Sequence, residues 1–187
     1  MPKLLSYYKL IDIVIFTLIT LVGLYYHEVT LFYLIYLFWM QELVRTITEF
    51  FISLKYDKEN NNFFQEAFGA FFLLFVYLVF IVVVFGIMLN WEQKQLIYEN
   101  IKVVLFRNLF FNITILLFFV NFCYKIMKSD VKKVQIKVFN PRHIVLHISI
   151  IFGAVLQMIV AKKLQLDSQQ SAVLVSLPFM ILNAFTR

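Results

Sequence analysis

The sequence predicts an all-α fold, a polytopic membrane helix bundle of about six transmembrane helices with both termini on the cytoplasmic side. Three observations predict it. The chain is 62% hydrophobic and 15% charged, whereas soluble domains run near 45–50% apolar and about 25% charged. Apolar runs long enough to cross a hydrocarbon core of about 30 Å recur along the 187 residues. The basic residues collect between those runs, unevenly on alternate sides, which is how orientation is written into membrane chains.

The expected spans cover roughly 10–26, 30–53, 63–89, 103–127, 143–161 and 170–186. The first, "IDIVIFTLITLVGLYY", is too long for a signal-peptide core and lacks a small-residue cleavage site, so it reads as a retained helix. "HEVT" then makes a tight connection, and "KYDKENNN" a charged turn after the second span. "NWEQKQLIYENIK" follows the third, with Ile97 and Tyr98 spaced as on a short helix lying among headgroups. "KSDVKKVQIKVFNPR" and "KKLQLDSQQ" close the fourth and fifth. Such short connections leave no room for a soluble domain, so residues 1–187 form one transmembrane unit. Cys123 is the single cysteine and has no internal disulfide partner.

Charge sets the direction. With the N-terminus inside, the inner segments hold Lys3, Lys9, Lys55, Lys58, Lys125, Lys128, Lys132, Lys133, Lys137, Arg142 and Arg187. The outer segments hold only Lys94, Lys102, Lys162 and Lys163, with Arg107 slightly deeper. The bias places both termini in the cytoplasm.

Span two, "TLFYLIYLFWMQELVRTITEFFISL", begins as an aromatic and aliphatic wall and then turns polar. Glu42, Arg45, Thr46 and Glu49 stand at i, i+3, i+4 and i+7, so they share one helical face. A charged group at a span centre costs about 2.5–3.5 kcal/mol on the lenient insertion scale, so this face must meet partners or a wet cavity. A locked Glu–Arg pair and a proton, ion or substrate site are the two readings. In "NPRHIVLHISIIFG", Pro141 suits the first turn of span five, Arg142 sits at the cytoplasmic border, and His143 and His147 are i,i+4 on one face. Their depth matches Arg45 to Glu49, so Glu42, Arg45, Thr46, Glu49, Arg142, His143 and His147 form the expected polar cluster.

Two histidines four apart can ligate one ion, and a carboxylate can be a third donor. His143, His147 and Glu49 are thus a candidate divalent-metal set, set against a border histidine that merely hydrogen-bonds across helices. Two histidines on one helical face cannot be opposite axial ligands, so haem is not expected. Gly153 beside Ala154 lets helices approach closely; Arg107, Asn108 and Asn112 make a second polar patch in span four. Asn121, Gln157 and Asn183 are single polar groups that glue helices, and Pro178 kinks span six.

"RHIVLHISIIFG" has the pattern Arg-x-x-x-Leu-His-x-Ser/Thr-Ile-x-x-Gly, and "YLFWMQELV" has an aromatic pair followed by Glu. With these, the chain resembles an uncharacterised family of small six-span bacterial integral membrane proteins, a domain of unknown function. The resemblance implies Trp39, Glu42, Arg142, His147, Ser149 and Gly153 as signature positions and a bacterial inner-membrane location, and it implies no activity. It also implies a Lys and an acid in the last span, where this chain offers Asn183.

The glycines are Gly23, Gly69, Gly86 and Gly153, from which no Walker or Rossmann loop can be built. A Gly-x-Ser-x-Gly elbow and the His-Glu-x-x-His metalloprotease motif are also absent. With no soluble domain, nucleic acid is not an expected partner; membrane lipids, other membrane subunits or further copies of the chain are. Three classes follow. The first is a binding or scaffold subunit of a membrane complex, the second a channel, transporter or proton relay, and the third a membrane-embedded enzyme acting on lipid with His147 or Glu49 as base.

The topology is open to direct test. In a Cys123→Ser background, Lys94→Cys should react with an impermeant maleimide on intact cells and Lys58→Cys only after permeabilisation. The reverse pattern removes the orientation.

Overall fold

A computed structural model describes residues 18, 22–23, 30–56, 62–128, 136–138 and 141–159, apart from the side chains of residues 125, 128, 141, 142, 145, 156 and 157. Among the described residues every regular element is helical. In chain order these are α1 (Leu31–Tyr56), α2 (Phe63–Phe80), α3 (Lys94–Val104), α4 (Leu109–Lys128) and α5 (Pro141–Ile159). Helix α2 runs on through a wide π-helical turn, Ile81–Ile87, and a tight 3-10 turn, Met88–Asn90. Leu18, Val22 and Gly23 are helical; the rest of the expected span 10–26, and all of 170–186, lie outside the described residues.

Helix α1 is the central post. Thr30 opens it as an N-cap, accepting the Tyr33 backbone N–H at 3.1 Å. Leu31 through Leu37 are all buried, and a helix apolar on every side is stable only when other elements surround it. It touches α2, the π turn, α3, α4 and α5. Along it, Phe32, Tyr36 and Trp39 stack in sequence with centroids 5.5 and 5.6 Å apart, and Phe111 of α4 stacks on Tyr36 at 5.4 Å. Each such aromatic pair contributes roughly 0.5–1.5 kcal/mol beyond the area it buries.

Named contacts give the directions. Phe50 of α1 meets Phe63, Trp39 donates its indole N–H to the Leu74 carbonyl at 2.7 Å, and Phe32 lies against Gly86. Helix α2 with its π turn therefore runs antiparallel to α1. Tyr33 meets Phe111 and Thr114 while Arg45 meets Phe118 and Phe122, so α4 is parallel to α1.

The expected fourth span, 103–127, is not one straight helix. The chain turns at 105–108 because Asn108 N-caps α4, its Oδ1 accepting the Phe111 N–H at 2.9 Å. The Asn112 amide donates to the Phe106 carbonyl at 2.7 Å. The two asparagines expected as a membrane patch are thus turn and cap groups, because their side chains compete for backbone partners that a continuous helix would satisfy. Among the described residues two helical stretches are long and apolar enough to cross a membrane, Phe63–Asn90 and Lys94–Tyr124, the second carrying this bend.

At the π turn, Asn90 and Asn100 donate to carbonyls that the widened turn leaves available: Asn90 to Phe85 at 2.7 Å, Asn100 to Gly86 at 3.2 Å. Thr30 donates to the Asn100 Oδ1 at 2.9 Å, which joins the start of α1 and the middle of α3 to the end of α2. At the opposite end, Ser53 accepts the Ile136 N–H at 3.3 Å and Val138 seats on Gly69. A Cβ on Gly69 would stand 2.7 Å from Val138 Cγ2. Gly69→Ala should therefore lower thermal stability in detergent by about 1–3 kcal/mol through overpacking, and adding Val138→Ala should recover most of it. An unchanged unfolding midpoint would remove this contact from the account.

Candidate functional site

The candidate site sits where α1, α4 and α5 meet. Glu42 is buried on α1, and one turn on, the Arg45 Nη1 lies 3.9 Å from its Oε2. From α5, the His143 Nε2 lies 3.5 Å from the Glu42 Oε1. The other face of Arg45 is covered by α4, with the guanidinium carbon 5.2 Å from the Phe118 ring centroid and 5.8 Å from that of Phe122. A planar, weakly hydrated cation suits aromatic faces in this way. One acidic group thus has two basic neighbours, and those neighbours bind three helices together.

The segment before α5 orients the histidine. His143 Nδ1 lies 2.7 Å from the Val138 carbonyl. A carbonyl only accepts, so Nδ1 carries a hydrogen. Nε2 is the ring atom that faces the Glu42 Oε1. At 3.5 Å this is an ionic contact slightly longer than an ordinary hydrogen bond.

Not every expected member joins. His147 is largely exposed, its ring 5.6 Å from that of Tyr77 on α2. His143, rather than His147, reaches the acidic face, because Val138 turns its ring toward α1. Thr46 is buried one turn beyond Glu42. Glu49 is half-buried two turns beyond it, about 10 Å along the axis. Arg142 lies in the first turn of α5, and its side chain is outside the described residues. Among the described residues no group of three His, Cys, Asp or Glu side chains is placed to hold an ion. His143 approaches Glu42 of α1, while the His147 ring lies beside Tyr77 of α2.

Some buried polar atoms stand apart from the pairing. Among the described residues Thr46 Oγ1 and Ser149 Oγ have no hydrogen-bond partner. Gly153 is buried on α5, which fits close approach of a neighbour. Sequence reasoning missed Asn100 and Thr30, which form the polar link at the far end of the bundle. The available signal was a lone Asn among the apolar positions of an amphipathic helix.

The pairing and the orphan hydroxyls predict opposite outcomes. Glu42→Leu leaves Arg45 without its acidic neighbour and should cost about 3 kcal/mol of stability. Thr46→Val removes a buried hydroxyl with nothing to lose and should change stability by less than about 1 kcal/mol, or raise it. Thermal unfolding in one detergent, read for both variants, checks the contrast; equal losses would contradict the assignment.

With that geometry in hand, comparison with other proteins adds a family and nothing narrower. No curated protein matches the chain, and no solved structure does. The model of a family of unknown function, DUF6498, matches residues 2–184, and the chain belongs to that family.

Proposed function

We propose that the chain is a multi-pass membrane protein serving as a binding or scaffold subunit of a membrane complex, its buried charges holding helices together. The composition and the distribution of side chains support the membrane setting. Phe64, Phe68, Phe72 and Phe75 project outward from α2, with Phe64 and Phe68 each 74% exposed. Leu109, Leu116 and Val120 of α4, and Ile144, Ile148 and Ile151 of α5, are exposed as well. An apolar perimeter around ionisable groups is stable in lipid and aggregation-prone in water.

The closure of Glu42 between Arg45 and His143 carries the scaffold reading. The acid is 5% exposed and the histidine 1%, so neither stands open as a base toward a substrate. Lipid supplies little hydrophobic drive between helices, which leaves packing and polar contacts of this kind to hold a bundle together.

A second reading rests on the approach of the His143 Nε2 to the Glu42 Oε1. A proton at such a junction can move between the two groups without changing the net charge of the trio with Arg45, which is what a relay needs. One pair of measurements separates the readings. A scaffold resists carbonate extraction, migrates on native gels well above its 22.3 kDa mass, and adds no proton flux to pH-dye-loaded liposomes. A relay adds flux that Glu42→Gln abolishes. A monomer without flux defeats both.

A further inference from the structure

We propose that the corner between α3 and α4 is a binding site for the phosphate of an anionic phospholipid, with Arg107 as the principal ligand. The inference rests on the membrane reading above. A cleft of about 350 Å³ opens at this corner, lined by Lys102 and Arg107 together with Tyr98, Ile101, Leu105 and Leu109. Tyr98, Ile101, Leu105, Arg107 and Leu109 are all exposed. They lie on the side of α3 away from Asn100 and Val103, which face the bundle. The cleft therefore combines a cationic rim with an apolar floor, the chemistry of a headgroup joined to an acyl chain.

The backbone brings the two cations together. Helix α3 ends with the Phe106 N–H donating to the Val103 carbonyl at 3.1 Å and the Arg107 N–H to the Lys102 carbonyl at 2.7 Å. This pair of bonds calls for a left-handed residue at Phe106, normally glycine, and Phe106 adopts it with φ 57°. The result is two like charges on one turn. Glu99 offsets Lys102, its carboxylate 2.9 and 3.1 Å from Nζ, and the Lys102 ammonium also lies 4.6 Å from the Tyr98 ring centroid. Among the described residues no acidic side chain offsets Arg107. The corner keeps one net positive charge at the mouth of an apolar cleft, and the planar guanidinium is the better of the two groups for a phosphate.

Binding is read by titrating delipidated protein with phosphatidylglycerol and with phosphatidylcholine, followed by native mass spectrometry. The wild-type chain should prefer the anionic lipid, and Arg107→Gln should weaken that lipid by about tenfold with little effect on the zwitterionic one. Glu99→Gln, which removes the carboxylate beside Lys102, should tighten it. Inorganic phosphate alone should bind far more weakly than the lipid, because it gains nothing from Leu105 and Leu109. The proposal is overturned by equal affinity for the two lipids, by an unchanged Arg107→Gln variant, or by inorganic phosphate binding as well as lipid. Carbonate extraction of the membranes from which the protein is purified keeps these outcomes separate from failure of the membrane reading. Arg107 is exposed, so its variant is not expected to unfold.

Discussion

A carboxylate inside an apolar helix bundle must find its counter-charge within a few ångströms, and much of this structure is arranged around that requirement at Glu42. Arg45 lies one turn away on the same helix, and His143 arrives from α5. Neither contact would be sufficient alone. The arginine still needs its other face covered, and Phe118 and Phe122 of α4 cover it. The histidine needs a fixed ring orientation, which the Val138 carbonyl supplies. Val138 in turn needs a place to rest, and Gly69 of α2 provides one by having no side chain. One buried acid is thus connected, through short contacts, to every long helix described.

The two ends of the bundle use different chemistry for one purpose. Near Glu42 the helices are joined by charge. At the other end they are joined by neutral groups, with Thr30, Asn100 and the Gly86 carbonyl in a chain. Between the ends lies the aromatic stack of Phe32, Tyr36, Trp39 and Phe111, where shape and dispersion act and the Trp39 indole N–H is met by the Leu74 carbonyl. This division explains why α1 is so completely enclosed in its first half and more open in its second. It also explains why the π turn is tolerated, since the carbonyls it releases are taken up by asparagine amides.

The family assignment adds no activity to this picture, because the family itself has none attached. The physical reading therefore has to come from the side chains. Glu42 and His143 are tied together inside, while Phe64, Phe68, Phe72 and Phe75 are turned outward. An arrangement of that kind is costly in water and favourable in hydrocarbon, which is why the membrane reading and the structural role of Glu42 support one another.

Composition and spacing along the chain were sufficient for the helical class, and they put Glu42 and Arg45 one turn apart on a single helical face. Those properties are local: apolar runs, proline and threonine at helix starts, and a one-turn offset all act within a single helix. The partner of Glu42 was not local. His143 and His147 share a face, and only the docking of residues 136–138 against Gly69 and Ser53 decided which ring meets the acid. The break at 105–108 was hidden for a related reason. The run is apolar on both sides, and whether Asn108 lies within a helix or caps one depends on where α3 and α4 pack. Periodicity assigns a residue to a face; only tertiary packing assigns that face to a neighbour.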